Sequence, residues 1–283
     1  MAWTLTQDVG EYLAAAGDML RSQPAQNTLM LTIAESLRAR GGHAFGEADP
    51  LFGWWDEAGG VTAALLQTPP FPAVITPMPE QAATALTEVL VSRDWDPRGV
   101  NGPVGTAQGF AAAWQARTGR GASVQRRSRL FRLAGFEPPA GVPGRARTPE
   151  SADRDLLVAW FDAFVTEVGD VHERVEKMVD DKLSYGGLFL WEDGGQPVSL
   201  AARNREVAGQ IRIGPVYTPP QQRGRGYGGA VTAAVTQAAL HAGAAEVLLF
   251  TDLANPTSNA LYQRLGYRPL SDFLVLKFTK AGS

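Results

Sequence analysis

The run Gln221-Gln222-Arg223-Gly224-Arg225-Gly226-Tyr227-Gly228-Gly229 constrains the fold more than any other stretch. It joins a strand-like segment, 210–217, to a helical one with Val231, Ala234, Val235 and Ala238 on one face. Three glycines within five residues allow a tight turn and clear side chains away from the backbone N–H groups. The helix start adds partial positive charge, and Arg223 and Arg225 add bidentate donors for phosphate-like oxygens. The bland alternative is a solvated turn. A Walker loop is excluded because no Gly-Lys-Ser/Thr follows. The dinucleotide spacing Gly-x-Gly-x-x-Gly is met only loosely, without the acidic residue that should end the next strand.

Around this loop the pattern is mixed α/β. Asp153 is expected to cap a helix carrying Leu156, Leu157, Trp160, Phe161, Phe164 and Val168, and a more polar helix follows over 171–184. Strands are read at 188–191, 197–201, 210–217, 246–251 and 273–278, with a helix at 256–265 stopped by Gly266. The N-terminal half has the same rhythm. Helices are read at 9–20, 27–39, 79–92 and 107–117, and strands at 61–67, 71–76, 99–104 and 128–133. Gln67-Thr68-Pro69-Pro70 echoes Tyr217-Thr218-Pro219-Pro220. Pro138-Pro139-Ala140-Gly141-Val142-Pro143-Gly144 extends neither helix nor central strand and reads as a linker. The expected division is 1–137, a linker at 138–146, and 147–283.

A second motif is Asn255-Pro256-Thr257-Ser258-Asn259-Ala260-Leu261-Tyr262-Gln263-Arg264-Leu265-Gly266-Tyr267. Asn255 caps, Pro256 takes the first helical position, and Gly266 stops the helix. Tyr262 lies two turns in. Its phenol is either a proton donor facing a cleft or a half-buried packing group.

Together these motifs resemble the GCN5-related N-acetyltransferase (GNAT) superfamily. Arg223-Gly224-Arg225-Gly226-Tyr227-Gly228 matches the Arg/Gln-x-x-Gly-x-Gly/Ala loop, and Asn255, Ser258, Leu261, Tyr262, Gly266 and Tyr267 match the later signature. The likeness covers about 150–283. The N-terminal half lacks the loop and is similar to the degenerate first copy of tandem members. The resemblance implies an α+β mixed sheet in two tandem acyl-CoA N-acyltransferase domains. It implies that Val216 and Tyr217 pair with the pantetheine arm of acetyl-CoA and polarise its thioester. Thr218, Arg223, Gly224, Arg225, Gly226, Tyr227, Gly228 and Gly229 would hold the phosphates. Asn255, with Ser258, would reach the cofactor, and Tyr262 would protonate the departing thiolate. The implied reaction is direct transfer of an acetyl group to a primary amine.

An alkyl ammonium with a pKa of about 10 must lose its proton before attacking. The acidic residues near the relevant strands are Glu192, Asp193, Glu206 and Asp252, and none is singled out as base. Asp252 serves equally well as a bond to its own loop.

Composition narrows the rest. Apolar residues at 45% and charged ones at 19% exclude wholesale disorder. A net charge of −3 disfavours a general nucleic-acid or anionic-membrane binder. The absence of cysteine removes disulfides, thiolate metal sites and cysteine nucleophiles. His43, His172 and His241 are widely spaced, so no metal is expected. No leader or membrane span is apparent, which makes a cytoplasmic protein the expectation. An arginine-rich, lysine-poor composition with abundant Ala and Gly suggests a bacterial source. The run Arg117, Arg120, Arg126, Arg127, Arg129 and Arg132 reads as a solvated loop and strand face, or as a surface that meets nucleic acid or an acidic substrate. Phe52-Gly53-Trp54-Trp55 reads as core or as the wall of an acceptor pocket. Expected partners are acetyl-CoA, a small-molecule or protein amine acceptor, and a second copy of the chain. The alternatives are a non-catalytic acyl-CoA-binding regulatory module, or a tandem enzyme using an aminothiol or amino-acid acceptor.

Overall fold

The computed structural model describes residues 1–169 and 174–279. Within them one element order, β-α-α-β-β-β-α-β-α-β, occurs twice. The first pass is β1 (Ala2–Thr6), α1 (Val9–Ser22), α2 (Thr28–Arg40), β2 (Leu51–Glu57), β3 (Gly60–Gln67), β4 (Ala73–Ile75), α3 (Glu80–Ser92), β5 (Gly99–Pro103), α4 (Val104–Thr118) and β6 (Ala122–Leu133). The second is β7 (Arg145–Arg147), α5 (Arg154–Glu167), α6 (Val175–Ser184), β8 (Leu188–Asp193), β9 (Gln196–Arg203), β10 (Gln210–Tyr217), α7 (Tyr227–His241), β11 (Glu246–Asp252), α8 (Pro256–Arg264) and β12 (Tyr267–Phe278). The mixed α/β class read from the sequence is the fold observed.

Packing divides the chain into two units. One comprises 1–130, 252–254 and 270–283; the other comprises 131–251 and 255–269. The final strand of the chain therefore belongs largely to the first unit. There β12 runs antiparallel to β5, with Phe273 opposite Pro103 and Lys277 opposite Gly99. Strands β1, β2, β3 and β4 form an antiparallel ladder, and β4 is parallel to β5. Leu274, Leu276 and Phe278 of β12 are buried with Trp55, Leu86, Phe110 and Trp114. Phe278 stacks on Trp114 with ring centroids 5.5 Å apart. Burying side chains of this size contributes about 1.5–3 kcal/mol each. At the start of this unit Asp8 caps α1 by accepting from the Gly10 and Glu11 N–H groups.

Several sequence expectations are corrected here. Strands β1, β2 and β7 were not read at all. In β2, Leu51 through Trp55 are all buried, so the period-2 alternation that marks a half-exposed strand is missing. Phe52, Trp54 and Trp55 are core residues rather than a pocket wall. The echo at Gln67–Pro70 follows β3. By element order the counterpart of Thr218-Pro219 after β10 is Thr76-Pro77 after β4. Of the basic run, Arg120 pairs with Asp96, Arg129 with Asp272 and Arg132 with Glu246. The helix expected over 171–184 is described from Val175, and residues 171–173, with His172, lie outside the described residues.

In the second unit β7, β8, β9 and β10 are antiparallel neighbours, and β10 is parallel to β11. The sheet is covered on both faces. Ile211, Ile213, Val231, Val235, Val247 and Leu249 pack together on one side. Leu157, Phe161, Val179, Leu190 and Leu200 pack together on the other. Gly266 ends α8 at φ +95°, and its carbonyl accepts from the Ala134 N–H at 3.1 Å.

Asp153 does not cap α5 through its side chain. Its carboxylate accepts from the Glu150 N–H and, at 2.6 and 2.8 Å, from Arg147, which also donates to Glu192 at 2.7 Å. The Arg147 guanidinium holds both carboxyls below their ordinary pKa. Carboxyls depressed in the folded state stabilise above the unfolded value, near 4, and lose that effect as pH falls through the folded value. We therefore expect Arg147→Met to lower the denaturation midpoint at pH 7, with the gap from wild type narrowing below about pH 3. A gap of equal size at both pH values would show that Arg147 acts only through packing.

Candidate functional site

The site begins where β10 leaves β11. Parallel pairing runs from Gln210 opposite Glu246 to Ile213 opposite Leu249 and goes no further. Pairing of β10 with β9 shifts register between Ile213 and Val216, then continues with Val216 opposite Ala201 and Tyr217 opposite Leu200. Gly214-Pro215 falls in this break, and proline has no N–H to give a ladder. Beyond Ile213, β10 thus has a partner on one edge and an opening on the other. An extended ligand can add to such an edge as a strand would.

The chain past Tyr217 is fixed by short polar contacts. Ser199 Oγ bonds the Tyr217 carbonyl at 3.0 Å and lies 2.8 Å from Thr218 Oγ1. Arg223 donates through Nε to the Thr218 carbonyl and through Nη2 to Glu167. Gly224 and Gly226 both have left-handed φ, +79° and +85°. Gly226 is the N-cap of α7, and no side chain caps that helix. A Cβ on Gly226 would approach Val142 Cγ2 to 3.2 Å, and one on Gly228 would approach Thr218 Oγ1 to 3.2 Å. The cradle is therefore bare backbone at a helix start, beside the exposed Arg223 and Arg225. These donors suit a pyrophosphate. The Tyr227 hydroxyl donates to Asp193, which raises the phenol pKa, and also meets the Arg225 guanidinium of the loop, which lowers it.

Asn255 caps α8 by accepting from the Ser258 N–H at 3.0 Å, as the sequence indicated. Tyr262 is 8% exposed and packs edge-on against Tyr267, with centroids 6.2 Å apart at 70°. Burial pushes its pKa up to about 12, so the phenol keeps its proton at neutral pH.

The four acidic residues considered as base all have partners. Glu192 is held by Arg147, Asp193 by Tyr227, Glu206 by the Gly209 N–H and Asp252 by the Ala254 N–H. The sequence reading missed Ser199 and Glu167, which fix the cradle from β9 and the end of α5. Neither sits in a motif, and only the fold brings them to the loop. Among the described residues no group of three His, Asp or Glu side chains is placed to hold a metal ion, and no helix is long and apolar enough to cross a membrane.

Comparison with known proteins follows the same lines. The acetyltransferase (GNAT) family model matches residues 153–267. A GCN5-related N-acetyltransferase from Sphaerobacter thermophilus is 19% identical, with 98% of this chain and 95% of that one covered and a TM-score of 0.63. A Drosophila protein is 14% identical, with 96% and 95% covered and a TM-score of 0.64. A tandem GNAT protein from the clavulanic acid biosynthesis pathway is 15% identical over 99% of both chains, with a TM-score of 0.55. These likenesses show a shared fold. No curated protein matches the sequence.

Proposed function

Since residues 153–267 are a domain of the acetyltransferase (GNAT) family, and the protein is accordingly an acyltransferase of tandem GNAT fold, we propose that it moves an acetyl group from acetyl-CoA to a primary amine. The opening of β10 beyond Ile213, directly ahead of the bare helix start at Gly226, carries this reading.

In the proposed mechanism the pantetheine arm adds to the free edge of β10 at Val216 and Tyr217. A backbone N–H there polarises the thioester carbonyl. Thr218 and Arg223 through Gly229 hold the phosphates, and Arg223 exchanges Glu167 for phosphate oxygens. Asn255 and Ser258 flank the arm at the start of α8. The free amine nitrogen attacks the thioester carbon, a C–N bond forms and the C–S bond breaks. Tyr262 gives its proton to the departing thiolate, and the proton shed by the attacking nitrogen returns through solvent to the phenolate, which restores the enzyme. The phenol carries its proton at neutral pH and can donate it, while burial, by raising its pKa to about 12, makes it a weaker acid than a free tyrosine.

The proposed domain assignment keeps 147–283 as catalytic copy, 138–146 as linker and 1–137 as degenerate copy. In the first pass, α3 is entered through Thr76-Pro77-Met78-Pro79, with no glycine and with Pro79 as N-cap. That entry offers no bare cradle. Calorimetric titration of the full chain with acetyl-CoA should show one site per chain. Two sites would overturn the degenerate copy, and no binding would overturn the donor assignment in favour of another acyl carrier. We expect Tyr262→Phe to lower kcat by on the order of 10²-fold with the affinity for acetyl-CoA within about twofold. Unchanged turnover would leave the phenol a packing group.

A further inference from the structure

Arg212 is the one charged residue of β10. Ile211 and Ile213, on either side of it, point into the core shared with Val231 and Val235 of α7. Arg212 therefore stands on the opposite face of the sheet. It is also the residue just before Ile213, where the pairing of β10 with β11 stops. Its guanidinium centre lies 6.0 Å from the ring centroid of Phe250, which is the first β11 residue past Leu249, the last one paired. Arg212 thus reaches across the head of the opening that receives the acyl group in the reading above.

Among the described residues the guanidinium has no counter-ion. Its Nη1 is shut off from solvent and makes no hydrogen bond. Burial alone acts on its ionisation, lowering the pKa to about 10, so it remains a cation at neutral pH. Several other arginines of this unit have carboxylate partners, whereas Arg203 Nε, like Arg212 Nη1, is buried without a hydrogen bond. Arg147 has two carboxylates, and Arg154 and Arg205 each have an aspartate. A buried cation without a partner costs stability. Such a group is kept at a functional opening when something brought from solution completes it.

We propose that Arg212 is the acceptor-binding residue, and that the acceptor is an amine bearing its own oxyanion, such as an α-amino acid. The inference rests on the acyl-transfer reading and names its substrate class. The carboxylate takes the fork of the guanidinium, and the amine nitrogen is presented to the thioester at Val216 and Tyr217. Phe250 covers one side of the pair and keeps water from it. A neutral amine of the same size leaves Arg212 unpaired and binds poorly.

The test compares matched acceptors, with CoA release as the readout. Glycine is set against glycinamide, aspartate against aspartate diamide, and phosphoethanolamine against ethanolamine. Wild type should prefer the anionic member of at least one pair by about 100-fold in kcat/KM, as expected for a charge-assisted bidentate contact. Whether glycine, aspartate or phosphoethanolamine leads identifies the anion as carboxylate or phosphate. Arg212→Gln should cut that preference below about tenfold, mainly through KM, while calorimetry shows acetyl-CoA binding within about twofold of wild type. Without acceptor, Arg212→Gln should melt at or above the wild-type temperature, because it removes an unmatched buried charge. The anionic amine should raise the melting temperature of wild type and leave the variant unmoved. Equal use of neutral and anionic amines by an enzyme that binds acetyl-CoA overturns this proposal alone. Failure to bind acetyl-CoA overturns the acyl-transfer reading beneath it. A large fall in melting temperature for Arg212→Gln would mark the residue as structural and also overturn the proposal.

Discussion

Gly266→Ala should destabilise the protein by about 4 kcal/mol or more, the range reserved for a clash that the surroundings cannot absorb. Two effects combine. The position has φ +95°, which an L side chain rarely adopts. A Cβ built there would also sit 1.4 Å from the Gly135 carbonyl oxygen and 2.6 Å from its carbon. Both neighbours are backbone, so no rotamer change relieves the overlap. Relief requires pulling the 134–135 segment away, which breaks the bond from the Ala134 N–H to the Gly266 carbonyl. Urea denaturation should show a much lower midpoint with an unchanged slope. A loss below about 1 kcal/mol would mean that this junction yields easily.

Gly226→Glu should weaken acetyl-CoA binding by more than about 100-fold, equivalent to roughly 2.7 kcal/mol or more. The backbone at φ +85° resists any side chain, and the first added carbon already presses on Val142 at 3.2 Å. The decisive effect is electrostatic. The new carboxylate lies at the uncapped start of α7 and takes up the N–H groups and dipole that the pyrophosphate needs. Gly226→Ala serves as the comparison, since it introduces the backbone strain without the charge. Calorimetric titration should rank wild type, alanine and glutamate in falling affinity. Equal affinity for wild type and the glutamate variant would remove the anion assignment from this loop.

Much of this was legible in the sequence because the relevant signals are local. Gly224 and Gly226 adopt the left-handed backbone that their spacing suggested. Asn255 caps α8 and Gly266 ends it. These depend on a few neighbouring residues whose chemistry has one common use. What escaped was tertiary. Leu51 through Trp55 make a strand buried on both faces, so no alternation marked it. Asp153 has the right type and place for a cap, but Arg147, six residues earlier, takes its carboxylate. Glu167 meets Arg223 only because α5 ends beside the loop. Arg212 is one arginine among many in the sequence, and only its register beside the last paired residue, with an unmatched guanidinium, sets it apart.

The membership of β12 in the first unit has a consequence for biosynthesis. Residues 1–130 leave the ribosome first, yet their sheet gains the strand opposite β5 only when residues 273–277 have been made. Until then the β5 edge has open N–H and C=O groups, and Phe110 and Trp114 lack the cover of Phe278. The amino-terminal half must wait, incompletely closed, through translation of nearly the whole second copy. A nascent chain stalled before residue 273 would expose a sticky edge, whereas one that has passed residue 278 seals it with β12. The order of synthesis and the order of completion run in opposite directions along this polypeptide.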